Sequence, residues 1–198
     1  MEPKCSLAGL LISTNRPDEG IGLLRSALQT KPGHLPALFM LGKTLWDVGE
    51  RDEAILVFGQ LAGADPANPE SHRQLAKAEA AASRPRDAVA SFERGVARAP
   101  SADLHSDFAW LLATHADPAV RDGRRAVELA EKAIAAGQTA ARIVVIAAAW
   151  AEAGEFERAI REVETAIPGL PPESEPAMRH LIEDLRKRDP VRADPRFP

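Results

Sequence analysis

The residues that could do chemistry in this chain of 198 are five histidines, one cysteine and a scatter of carboxylates and cations. The histidines are His34, His72, His105, His115 and His180. None forms an H-E-x-x-H pair or another metal-ligand spacing, so the sequence offers no candidate metal centre. His115 and Asp117 come nearest to a catalytic pair, but two residues at a common spacing are accounted for more simply by a polar surface loop. Cys5 has only Lys4 beside it, and a nucleophilic thiol needs a base or strong positive field to lower its pKa. No phosphate-cradling G-x-x-x-x-G-K-[ST], dinucleotide G-x-G-x-x-G or G-x-S-x-G elbow occurs. The expectation is a protein with no catalytic residues, no cofactor and no metal.

Composition narrows the class further. The chain has 25 basic and 29 acidic residues, a formal charge of −4. That balance gives no electrostatic footprint for nucleic acid or anionic lipid. A single cysteine excludes an internal disulfide framework. Apolar residues make up 45%, enough for a packed core. Alanine, the best helix former, occurs 37 times, which points to an all-α fold. The apolar stretch Leu7–Ile12 is short for a secretory segment, and no run reaches the roughly 18 apolar residues of a membrane span. A cytoplasmic location is therefore expected.

The elements that position any site follow from an internal repeat. Pro32, Pro66 and Pro100 are 34 residues apart. At the same step Leu7, Leu41 and Leu75 align, as do Ala8, Gly42 and Ala76. So do Gly20, Ala54 and Ala88, then Ile21, Ile55 and Val89, then Leu24, Phe58 and Phe92. Small residues meet small ones and bulky ones meet bulky ones. Each unit reads as two helices. Leu38, Leu41, Leu45 and Val48 form one apolar stripe, Gly49-Glu50 a break, and Ala54, Ile55, Phe58 and Leu61 a second stripe ended by Asp65-Pro66. Gly42 and Ala54 are expected where two helices cross too closely for a larger side chain.

The run Leu38…Leu41-Gly42…Leu45…Gly49…Ala54…Phe58…Asp65-Pro66 resembles the tetratricopeptide repeat (TPR), a helix–turn–helix of 34 residues. Three units share one phase, and two degenerate units follow. In the fourth, Ala109 to Ala126 spans 17 residues against 12 from Gly42 to Ala54, so about five residues are inserted near 116–123. Loop closure makes such an insertion cheap. This stretch is similar to a TPR variant common in bacterial proteins. The fifth unit carries Ile146-Ala147, Trp150, Gly154, Phe156, Ala159-Ile160 and Val163.

The resemblance implies an all-α, right-handed superhelix of about five repeats: 1–34, 35–68, 69–102, 103–138 and 139–168. A C-terminal capping helix is expected over 169–188, with Met178, Leu181, Ile182 and Leu185 on its inner face, and a flexible tail over 189–198. The start has no such cap, and Leu7, Leu10 and Leu11 are expected to leave apolar surface open. His72 is expected to be a packing histidine. Glu79 replaces the leucines at 11 and 45, marking a groove edge or a weakened repeat.

In TPR proteins the first helices line a concave groove that binds partners. Carried over by position, the groove residues here are Phe39, Lys43, Trp46 and Asp47, then Glu70, Arg73 and Lys77, then Ser106, Trp110 and Thr114, with Val144, Ala148 and Glu152 farther along. The middle of the groove is expected to be basic and aromatic. Arg73 and Lys77, one turn apart, repel unless an anion or carboxylate joins them. The partner implied is a protein or peptide with acidic and apolar side chains. The clamp by which some TPR domains grip a C-terminal carboxylate is absent, since Cys5, Gly9, Met40, Glu70 and Gln74 occupy its positions. The function implied is a non-catalytic adaptor or scaffold. The alternatives are a protein that self-assembles through its uncapped N-terminal edge, and a regulatory module of an enzyme complex.

Overall fold

A computed structural model describes residues 2–192 of the chain. All regular elements among them are helical, and they fall into two compact units, Met1–Ala99 and Pro100–Pro198. The first unit holds α1 (Glu2–Ser13), α2 (Pro17–Thr30), α3 (Leu35–Asp47), α4 (Arg51–Ala64), α5 (Pro69–Ala81) and α6 (Pro85–Arg98). The second holds α7 (Ala102–Thr114), α8 (Gly123–Ala135), α9 (Ala140–Glu152), α10 (Phe156–Ala166) and α11 (Glu175–Arg186). Two short 3-10 turns, Ile167–Gly169 and Pro172–Ser174, lead into α11. Consecutive helices pack in pairs, α1 on α2 through α9 on α10.

In the first unit the turn within each pair is the same device used three times. Gly49 takes φ +92°, and Asn15 and Ser83, 34 residues to either side, take φ 62° and 60°. Around Gly49 the Glu50 amide donates to Leu45 O at 2.9 Å and the Gly49 amide to Trp46 O at 3.1 Å. That nested pair of bonds closes a helix C-terminus whose last carbonyls would otherwise be unpaired. Arg16 to Leu11 O and Arg84 to Glu79 O repeat the longer bond at 2.9 Å each. Helix starts are set by proline in the first turn of α2, α3, α5 and α6. The His34 and Asn68 side chains accept backbone amides at the starts of α3 and α5.

Most of the aligned columns lie in the core, Leu7 and Val89 excepted. Leu24, Phe58 and Phe92 are buried, and Ala8, Ala54, Ala76 and Ala88 are completely so. A Cβ on Gly42 would stand 2.7 Å from the Phe58 ring, which is why that crossing takes glycine. One member of the expected stripe departs from it. Val48 is exposed because it caps α3 instead of continuing it, while Leu38, Leu41 and Leu45 are buried.

The second unit lacks the left-handed turn between α7 and α8. His115 leaves α7 at φ −57°, ψ 142°, and the chain runs as an irregular loop to Gly123. Here glycine is obligatory for a different reason. A Cβ on Gly123 would stand 2.5 Å from the Ala153 amide nitrogen, in backbone that cannot swing aside. The turn from α9 to α10 regains the left-handed device, with Gly154 at φ +84°. On α11, Met178, Ile182 and Leu185 are buried where the helix lies against α10. The expected tail over 189–198 is described only as far as Arg192; residues 193–198 lie outside the described residues.

Candidate partner-binding faces

Phe39, Lys43 and Trp46 follow one another at i, i+4 and i+7 on α3, so they share one face of that helix. Phe39 keeps 38% of its surface exposed. Trp46 is half-buried, lying against the first unit's core, with the Arg51 guanidinium 5.4 Å from its ring centroid. Arg73 and Lys77 share one face of α5, Lys77 exposed and Arg73 half-buried. Trp110 lies on α7 of the second unit, half-buried. The α3 and α5 residues thus belong to one unit and Trp110 to the other.

The carboxylates named with these cations, Asp47 and Glu70, sit beside them on their own helices. Lys43 Nζ lies 3.3 Å from Asp47 Oδ2, and Arg73 is paired with Glu70. Glu70 also accepts from the Gln74 amide, which fixes its carboxylate under the guanidinium. The Lys43–Asp47 pair is more than half exposed on both sides, the class of ion pair worth about 0–1 kcal/mol. A carboxylate from outside can replace Asp47 at small cost. Arg73 is better ordered, with 24% side-chain exposure.

The remaining residues of chemical interest have structural work. His72 is buried and its Nε2 lies 3.0 Å from Pro66 O, which ties α5 to the turn before it; its Nδ1 is buried with no partner. His115 Nδ1 accepts the Asp117 amide at 3.0 Å, and Asp117 Oδ1 accepts the Ala119 amide at 2.9 Å. The pair that came nearest to a catalytic motif therefore folds a loop. Cys5 is buried, with Sγ 3.9 Å from His34 Nδ1. Among the described residues no three His, Cys, Asp or Glu groups are placed to hold a metal ion. No helix among them is long and apolar enough to cross a membrane.

Two buried titratable groups feel their surroundings. Burial pushes the Glu79 carboxyl up; the Ser91 hydroxyl bonded to it opposes the shift and Asp87 reinforces it, while Arg94 and Arg84 pull it down. Its Oε2 is buried with no partner. Burial pushes the His105 imidazole down, and Lys132 and Arg125 add to that.

Sequence reasoning passed over two features. Leu56 on α4 is 67% exposed, a leucine outside both apolar stripes. Arg121 and Arg192, in the α7–α8 loop and after α11, converge on Glu152 at the end of α9. The first is readable as a break in the stripe. The second carries no periodic signal.

No family model matches the sequence, and no curated protein matches it. Solved structures do. A structure of MamA is 20% identical, with a TM-score of 0.66, over 87% of this chain and 96% of that one. The structure of YrrB, described as a TPR protein with an unusual peptide-binding site, is 18% identical at TM-score 0.69, over 93% and 91%. A tetratricopeptide repeat protein from Parabacteroides merdae is 12% identical at TM-score 0.75, over 94% of this chain and 72% of that one. The chain has the tetratricopeptide-repeat fold.

Proposed function

We propose that this chain is a protein-interaction adaptor that holds a partner segment with acidic and apolar side chains against the α3 and α5 faces of its first unit. The observation that carries the reading is the α3 face. Phe39 stays exposed on a helix whose other large apolar residues are buried or half-buried, beside an ammonium with a weak, replaceable counter-ion. Aromatic residues left open next to cations are the composition of binding hot spots, where a ring is desolvated by the partner and the charge sets its orientation. Trp46 and Arg73 are already ordered by Arg51 and Glu70, so less conformational entropy is lost on binding. Trp110 offers a second, separate aromatic contact on α7. YrrB, of the same fold, is described as having a peptide-binding site.

Affinity capture from the source lysate tests this. Wild type is compared with Lys43→Glu/Trp46→Ala/Arg73→Glu/Lys77→Glu, and bound proteins are read by mass spectrometry. A partner held by wild type and lost by the variant is the expected result. A partner held equally by both removes the reading.

A separate observation favours a second reading. Leu7 and Leu10 on α1 are 48% and 59% exposed, although Leu11 is buried. They give an apolar edge to which a second copy of the chain can bind. A mass that grows with concentration and returns to monomer in Leu7→Lys/Leu10→Lys supports self-association; a constant monomer mass removes it.

A further inference from the structure

Three stretches of the second unit, distant in sequence, meet at one carboxylate. Glu152, the last residue of α9, has a side chain only 16% exposed. Its Oε1 accepts from Arg121 Nε at 2.8 Å, and its Oε2 lies 2.8 Å from Arg192 Nη1. The two arginines are held very differently. Arg121 Nη1 also donates to His115 O at 2.8 Å and Ala116 O at 3.0 Å, carbonyls of the loop that carries it. It is a built-in wall. Arg192 Nη1 faces Ala113 O at 3.4 Å and the neighbouring Val191 O at 3.0 Å. Beyond α11, the Arg188 amide bonds Leu185 O at 3.0 Å, and among the described residues 189–192 have no backbone–backbone hydrogen bond. The segment is fastened by the Arg192 side chain and by the half-buried Pro190 and Val191.

One oxygen of Glu152 thus belongs to the fold, and the other is occupied by a side chain on a loosely tied strand. We propose that Glu152 Oε2, with the Ala113 carbonyl beside it, is a subsite for an arginine of an extended partner peptide, and that Arg192 occupies it as an intramolecular competitor. The chemistry selects arginine. Arg192 reaches the carboxylate oxygen and the neighbouring carbonyl through one nitrogen, Nη1, and a guanidinium, more weakly hydrated than an ammonium, loses less on entering this half-buried spot. The half-buried Pro190 and Val191 show that the ground beside the subsite accepts small apolar residues. A tethered competitor acts at an effective concentration of roughly millimolar, so it excludes weak ligands and yields to tight ones. The subsite lies in the second unit and selects positive charge, so it stands or falls independently of the acidic-segment reading.

The test titrates the hexapeptide Ac-Asp-Pro-Val-Arg-Ala-Asp-NH2, the sequence of residues 189–194 with one arginine, into the full-length 15N-labelled chain. Wild type, Arg192→Ala and Arg192→Ala/Glu152→Gln are compared by NMR. In Arg192→Ala the amides around Ala113, Arg121 and Glu152 should shift saturably, with affinity above wild type by about tenfold for an intrinsic Kd of about 0.1 mM against a millimolar tether. Replacing the peptide arginine by alanine should abolish the shifts, and replacing it by lysine should weaken them. Adding Glu152→Gln should remove binding. Equal affinity of wild type and Arg192→Ala, or no saturable shift in a folded Arg192→Ala chain, overturns the proposal. Arg192 is exposed, so that variant retains the fold, and an unchanged spectrum away from the site checks it.

Discussion

Each helix pair of the first unit, like α9–α10 of the second, closes on a left-handed residue, and α7–α8 of the second unit closes by a different means. In the first, one left-handed residue at 15, 49 and 83 turns the chain back, and small residues at the crossings let the helices meet. In the second, α7 runs into an inserted loop in which Arg121 gathers His115 O, Ala116 O and Glu152 around itself, beside the turns made by His115 and Asp117. The difference teaches that a repeat can exchange a backbone solution, local and periodic, for a side-chain solution that depends on one ion pair 31 residues apart. The first kind is insensitive to charge. The second ties loop order to a charged residue and leaves a carboxylate oxygen for other use.

The sharpest break in this comparison comes from alanine at the two crowded glycines. Gly123→Ala drives a Cβ into the Ala153 backbone, whereas Gly42→Ala meets the Phe58 ring, which can shift. Overpacking costs about 1–3 kcal/mol, more where nothing can yield. Gly123→Ala should sit at or above the top of that range and Gly42→Ala inside it, by chemical denaturation. Equal costs would show that Gly123 is not held against backbone.

Next come the ion pairs. Arg121→Ala should destabilise the second unit by about 1–3 kcal/mol, since it strands two loop carbonyls and half of a largely buried carboxylate. Lys43→Ala, which removes an exposed one-turn pair, should change stability by less than about 0.5 kcal/mol. Comparable effects would erase the distinction between the units. The turn device itself is probed by Gly49→Ala, which should cost about 1 kcal/mol, and Ser83→Gly, which should gain a few tenths to about 1 kcal/mol, because only glycine enters the left-handed region freely. Opposite signs at these two positions, measured by thermal denaturation, identify the shared geometry.

The smallest effects are in pH, and the units should respond with opposite sign. Glu79 is raised in the fold, so its contribution is present below the ordinary carboxylate value of 4.5 and is lost as pH rises through the folded value. His105 is lowered, so the unfolded chain binds more protons and stability falls as pH drops below 6.5. Glu79→Gln should flatten the loss above pH 4.5, and His105→Gln the loss below pH 6.5, in denaturation series across pH. A slope unchanged in either variant removes that group as its source.

Legibility in the sequence follows the same division. The period of 34 already shows where the helices begin, turn and cross, because Pro, Gly and small residues do local steric work at fixed intervals. The shared turn at Asn15 and Ser83 is less visible, since neither residue is the glycine that announces it. On α3 and α5 the candidate binding residues were named by position together with their counter-ions, Asp47 four residues after Lys43 and Glu70 three before Arg73, both readable as same-face neighbours. Arg121 and Arg192 could not be paired with Glu152 from sequence, because neither an aperiodic loop nor a post-helical segment has a register that fixes its partner.

The central claim, that the α3 face of the first unit receives the partner, is tested most directly by photo-crosslinking from single positions in cells that express the full chain. A photoreactive phenylalanine analogue is placed at Phe39 or, as a control at a more open position, at Leu56. The expected result is a discrete adduct from Phe39 that disappears with Lys43→Glu/Arg73→Glu, and none from Leu56. Adducts from Leu56 with none from Phe39 would contradict the claim and move the binding surface to α4.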